Sequence, residues 1–184
     1  MIYRFKMVSD EVENFSREYT IDADNTFLDL RNAILDSVGY SKDNIDSFFI
    51  CERDWSRHEE ITLEDMGSSS DMDTYLMKET PLSDLVEDEG QRLMFVFDYL
   101  TDRGFFLELK ETIPGEYQDE PKCVRKSGNA PAQSVDLDEF EQKLDAAAVV
   151  TGDLGTDIFG DDFGDDLYND DDLSGLENIG SDQL

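Results

Sequence analysis

The charge of this chain breaks sharply near Val135, and that break leaves room for only one folded core. Residues 1–134 carry 30 acidic and 14 basic residues, whereas residues 135–184 carry 16 acidic residues and a single lysine. A segment that acidic, with apolar residues only scattered through it, buries too little surface to offset the entropy of ordering. The 184 residues suffice for one ordinary core and are short for two. The expected organisation is a folded domain over 1–134, a helix over 135–150 and an acidic, disordered C-terminal tail over 151–184. The helix rests on Leu137, Phe140 and Leu144, which share one face with Ala147 or Ala148.

A formal net charge of −31 opposes generic attraction to phosphate backbones and to anionic lipid, both of which need Lys and Arg. Nucleic acid and membrane surfaces are therefore unlikely default partners. The opening residues Met1 to Lys6 read as an alternating strand and lack the apolar run of an export leader. No span approaches the roughly 18 apolar residues that a membrane helix needs. These features place the expected home of the chain in the cytosol, where Cys51 and Cys123 are expected as free thiols.

Within the first 134 residues the periodicity alternates between strand and helix. Tyr3, Phe5 and Met7 share one face of a strand over 2–8, and Phe15, Tyr19 and Ile21 share one over 14–21, with polar Ser9 to Glu13 turning between them. Phe27, Leu30, Ile34 and Val38 then form a helical stripe. Asn25 or Thr26 is placed to cap its start, Asp29 adds negative charge there, and Gly39 supplies the stop. The apolar run Ser47 to Cys51 reads as a strand covered on both faces. Hairpin, helix and further strand is the order of a β-grasp-like mixed sheet, so the expected fold class is α+β.

Glu60 to Leu63 suggests another strand, Gly67 to Asp73 a polar loop, and Pro81 to Val86 a short helix capped by Thr80. Two strongly apolar runs, Leu93 to Tyr99 and Phe105 to Thr112, read as a hairpin at the centre of the sheet, with Gly104 at a positive φ. From Pro114 to Gln133 the chain is expected to wrap the domain in extended form.

Chemistry-bearing motifs are few. His58 is the single histidine, and a Cys51–His58 dyad has no nucleophile signature to support it. Three Cys and His residues spread over some seventy positions do not make a zinc site. The tail holds Asp157, Asp161, Asp162, Asp165, Asp166 and Asp170 to Asp172, but no register supplies both the Gly and the closing Glu of a calcium loop. Glycine-rich phosphate cradles are missing. No catalytic residue, metal or cofactor is expected.

Two features stand out from this background. Lys122, Arg125 and Lys126 form a basic cluster that could hold an anion or the acidic tail, or could simply relieve local repulsion. Phe159, Phe163 and Leu167 recur every four residues between acidic pairs, a pattern that can fold into a partner's groove, although Gly160 and Gly164 oppose helix in isolation.

Several stretches, in this order, resemble one known family: Tyr3-Arg4-Phe5, Arg17 to Ile21, the helix start Thr26 to Leu30, Phe95 to Tyr99, Glu108-Leu109, Pro121-Lys122-Cys123, Gly128 and Pro131. Over about Ile2 to Gln133 the chain is similar to the plasmid pRiA4b open-reading-frame-three-like proteins, some of which accompany mobile elements. The resemblance implies a β-grasp-like α+β fold and brings no activity with it. Members usually carry a polar central hairpin followed by a Trp and a His; here Phe105 stands where the Trp would be and Leu107 where the His would be. The resemblance thus implies that this chain has largely lost any site built on that hairpin. The leading expectation is a non-enzymatic, cytosolic protein-interaction domain with an acidic tail, meeting an unidentified and basic partner. The alternatives are a degenerate nucleic-acid-associated protein of a plasmid or transposon, and a hydrolase using Cys51 and His58.

Overall fold

The computed structural model describes residues 1–64 and 74–134. The expected polar loop at Gly67 to Asp73, the helix over 135–150 and the tail over 151–184 lie outside these residues, as do Phe159, Phe163 and Leu167. Among the described residues, eight strands form one sheet and a single α-helix covers one of its faces. The strands are β1 (Ile2–Val8), β2 (Ser16–Asp22), β3 (Ser47–Cys51), β4 (Arg57–Thr62), β5 (Thr74–Leu76), β6 (Arg92–Asp98), β7 (Arg103–Ile113) and β8 (Lys122–Ser127). They lie in the order β5-β4-β3-β6-β7-β1-β2-β8, with β4 and β5 parallel and the other described neighbours antiparallel. The architecture is α+β with a mixed sheet.

The helix α1 (Phe27–Val38) forms because its first turn satisfies its own backbone. Thr26 is the cap: its side chain accepts from the Asp29 backbone N–H, and the Asp29 carboxylate accepts from the Thr26 backbone N–H in return. Gly39 at φ 74° ends the helix and donates to the Leu35 carbonyl. Phe27, Leu30, Ile34 and Leu35 are fully buried against the sheet, where Phe5, Tyr19, Phe48, Phe95, Phe97, Phe105, Leu107 and Leu109 meet them. Each such side chain stabilises the fold by roughly 1.5–3 kcal/mol through burial.

The central β6–β7 hairpin is where expected, but its glycine acts differently. Asp102, at φ 53°, takes the left-handed conformation, while Gly104 lies inside β7. A Cβ at Gly104 would sit 2.8 Å from the Phe95 carbonyl oxygen, so close cross-strand approach, and not a positive φ, requires glycine there. β6 ends one residue, and β7 begins two residues, before the sequence suggests, with Asp98 opposite Arg103, and the Asp98 carboxylate accepts from the Leu100 N–H and the Thr101 hydroxyl to hold the turn.

The helix expected over Pro81 to Val86 is a single 3-10 turn, Leu82–Asp84, and Thr80 does not cap it. The Thr80 hydroxyl instead donates back to the Leu76 carbonyl, and its own carbonyl accepts from the Phe27 N–H at the start of α1. The buried Tyr3 phenol fixes the end of this turn by donating to the Val86 carbonyl at 2.6 Å.

The extended wrap expected after Pro114 contains a further strand, so the basic cluster is not a loop. Lys122, Arg125 and Lys126 lie on β8 at one edge of the sheet, with Val124 bulged between Arg125 and Cys123. The bulge reverses the alternation: Lys122 and Arg125 share a face with Thr20 and Glu18, and Lys126 lies on the opposite face with Arg17. Arg125 pairs with Glu18 at 3.5 Å. Lysines and arginine along an exposed edge also discourage edge-to-edge strand pairing.

Candidate functional site

Two clefts of about 580 Å³ open among the described residues. The first lies where β3 begins and β4 and β6 end, and its wall comes from the loop before β3, the end of β4 and the residue after β6. Ile45, Leu63 and Tyr99 give it apolar surface, and Asp43, Glu60 and Glu64 give it carboxylates. Among the described residues that line it, none is basic.

A buried ion pair positions the Asp43–Ser47 wall. Arg31 on α1 donates from Nε to Asp46 Oδ1 at 2.6 Å, with both side chains almost wholly buried. The Arg31 guanidinium also donates to the Lys42 and Asn44 carbonyls, so the helix grips the loop at three points. Burial lifts the Asp46 carboxyl above its ordinary value, and the hydrogen bond and charge of Arg31 pull it back. The 2.6 Å contact fits an ionised pair, whose charge is spent internally and does not reach the cleft.

On the opposite wall the Tyr99 hydroxyl donates to Glu60 Oε1 at 2.7 Å. Burial is the main cause that raises the Tyr99 phenol above its usual pKa, with the Glu60 carboxylate adding to it. The phenol therefore remains a proton donor at neutral pH and fixes one Glu60 oxygen, leaving the other available. Thr62 is also committed, donating to the Tyr75 carbonyl. The cleft thus presents an aromatic ring, two aliphatic side chains and uncompensated carboxylates, an arrangement suited to a cation on an apolar stem.

The second cleft brings Cys51 and His58 to one place, together with Glu52, Arg53, Asp88, Glu89, Arg92 and Glu108. No hydrogen bond joins the two. Cys51 Sγ donates to the Phe49 carbonyl, and His58 Nε2 lies 3.2 Å from Glu52 Oε1. Burial pushes the Cys51 thiol up to about 11, against the direction a nucleophilic thiolate needs. The sheet face opposite α1 explains that burial: Phe49, Cys51, Met94 and Val96 pack there under Trp55 and Phe106. Arg57 stacks over Phe49 and Arg92 over Trp55 to complete the cover.

The positions at which the family resemblance expects a Trp and a His belong to the core. Phe105 and Leu107 are both fully buried, and the Phe105 ring packs against Phe15, Tyr40 and Phe97. Nearby, Arg103 donates to both oxygens of Glu11 and to the Ala132 carbonyl, and the Tyr40 hydroxyl donates to the Pro131 carbonyl. Gln133 completes this clasp by exchanging hydrogen bonds with the Ser41 backbone. The cleft residues carry no motif that spacing could reveal. The available signal is apolar Ile45 within a polar loop, together with Tyr99 and Leu100 exposed beside a turn.

A single helix on one face of an eight-stranded mixed sheet, with an acid-rimmed cleft at one end of β3, β4 and β6, defines a small α+β domain. The chain belongs to the plasmid pRiA4b ORF-3-like protein family, whose sequence profile matches residues 2–153. Among solved structures it is similar to the protein of unknown function MM3350 from Methanosarcina mazei Go1, with a TM-score of 0.57 and 16% identity over 83% of this chain and 89% of that one. At that identity the likeness concerns the fold. No curated protein matches the chain in sequence. Among the described residues, no helix is long and apolar enough to cross a membrane.

Proposed function

We propose that this protein is a non-catalytic, cytosolic protein-interaction module that meets a basic partner. The observation that carries the reading is the first cleft, where apolar walls and free carboxylates converge without a basic side chain among the described lining residues. The buried, protonated Cys51 thiol supports the non-catalytic part. Phe159, Phe163 and Leu167 belong to the same proposal as further partner contacts, on the strength of their sequence spacing. Lys122 and Arg125, beside each other on one face of β8, are the corresponding choice for an anion. The fold behind the module is read as β-grasp-like on the element order β1-β2-α1-β3 alone.

The test replaces Ile45, which is 63% exposed at the rim, with photoreactive p-benzoylphenylalanine in the full chain. Irradiation in the native host should cross-link a distinct protein through a segment rich in Lys or Arg. Cross-links only within the chain, or none above background, would overturn the proposal.

One observation favours a second reading, a nucleic-acid-associated protein. By strand register, Arg4, Lys6, Arg57, Arg92, Lys122 and Arg125 share the open sheet face with Glu18, Asp22, Glu60, Glu108 and Glu111, a slight local excess of positive charge on an acidic chain. Two of these carboxylates pair across strands, Glu111 with Arg4 at 2.9 Å and Glu18 with Arg125 at 3.5 Å, which also fits a simple solvated face. Anisotropy of a labelled 20-nucleotide single strand at low and high salt separates the two. Salt-sensitive binding lost in Lys6→Glu and Lys122→Glu variants supports the second reading, and no binding at low salt removes it.

A further inference from the structure

We infer that the first cleft is a receptor for one cationic side chain, an arginine or lysine carried by an apolar-flanked segment of a partner protein. This rests on the interaction reading above and specifies which chemistry the cleft selects. Charge complementarity fixes the occupant. Glu60 and Glu64 supply negative charge, and among the described lining residues no Lys or Arg neutralises them. Asp46, the one lining carboxylate with a basic partner, is consumed by Arg31 behind the wall. An anionic or neutral polar ligand would meet uncompensated repulsion or leave apolar surface unfilled.

The shape agrees with the charge. Tyr99 holds Glu60 by a 2.7 Å hydrogen bond and lines the cleft beside it. The aliphatic stem of Arg or Lys packs along Ile45 and Leu63, while the charged head reaches the free Glu60 oxygen and Glu64. Ile45, 63% exposed in the cleft lining, offers apolar ground for the residues that flank the cation. A cleft with this combination discriminates charge and stem together, which a merely acidic surface does not do.

The probe is the peptide acetyl-Gly-Leu-Arg-Leu-Gly-amide, titrated into the full-length, isotope-labelled protein and followed by amide chemical shifts. Shifts should concentrate at Ile45, Ser47, Thr62, Leu63 and Tyr99. The same peptide with citrulline in place of Arg keeps the shape and removes the charge, and should bind at least tenfold more weakly. Glu60→Gln, which still accepts from Tyr99, should weaken the Arg peptide by about tenfold, and charge reversal in Glu64→Lys should do so by more.

Equal binding of the citrulline peptide, shifts centred elsewhere, or no shifts at millimolar peptide would each overturn the inference. Concentration-dependent shifts at these amides without peptide would assign the cleft to a second copy of the chain and overturn it as well. If the peptide fails while photo-cross-linking from position 45 still captures a basic partner, the interaction reading survives and only the receptor for a single cationic side chain is rejected.

Discussion

Replacing Asp46 by Asn tests the link between the core and the cleft wall most directly, because it removes one charge and almost no volume. Arg31 and Asp46 are 3% and 1% exposed, and their contact is 2.6 Å. In the Asn variant the Arg31 guanidinium keeps its hydrogen bonds to the Lys42 and Asn44 carbonyls but loses its counter-charge in a site that water does not reach. Breaking one side of such a pair costs about 3–5 kcal/mol, a large share of the roughly 5–15 kcal/mol that holds a domain folded. With a urea slope of about 2 kcal/mol/M, the midpoint should fall by around 2 M, which Trp55 fluorescence and circular dichroism would follow. The double variant Arg31→Met/Asp46→Leu removes both charges and should recover most of that loss, because desolvation of the pair nearly cancels its attraction. An Asp46→Asn cost below about 1 kcal/mol, or a double variant as unstable as the single, would refute the reasoning. The cleft should register the change too, since the residues before β3 that form its wall hang from this pair.

Four other outcomes follow from the geometry. Gly104→Ala should cost about 1–3 kcal/mol by urea denaturation, because its methyl would lie 2.8 Å from the Phe95 oxygen in the middle of the sheet; a neutral effect would show that the hairpin yields there. Ellman's reagent near pH 8 should titrate Cys123 quickly and Cys51 only on unfolding, since Cys123 is half-buried and Cys51 is buried. The Cys51 thiol ionises near 9 when unfolded and near 11 when folded. Its contribution to stability is therefore fully present below pH 9 and is lost as pH rises through about 11, a slope that Cys51→Ala should remove from pH-dependent denaturation curves. Arg103→Met should loosen the clasp on residues 131–133 and raise hydrogen exchange there by about tenfold, the effect of losing the charge-assisted donation to the Ala132 carbonyl; unchanged exchange would show that Tyr40 and Gln133 suffice.

The elements legible in the sequence are those whose signals are local. β1, β2 and α1 announce themselves through alternation, a helical stripe and caps, and β3 through an unbroken apolar run that both sheet faces bury. β8 escaped detection because its bulge at Val124 breaks the alternation and because it is stabilised by pairing with β2, far away in sequence. β5 spans three residues and pairs in parallel with β4, so no periodicity can be read from it. Gly104 misled for a related reason: a glycine after a polar loop reads as a turn residue, and only the register shows that Phe95 approaches it too closely for a side chain. The candidate cleft shares this property. Its walls come from residues 43–47, 60–64 and 99, which β-pairing and the Arg31–Asp46 contact bring together. Before folding these are unremarkable carboxylates among the 46 acidic residues of the chain. What singles out Asp43, Glu60 and Glu64 is the absence of a basic neighbour among the described lining residues, while Asp46, buried in the same wall, has one of its own. The same accounting gives Arg31 a positioning role: by neutralising Asp46 inside the domain, it leaves the negative charge of the cleft to Asp43, Glu60 and Glu64.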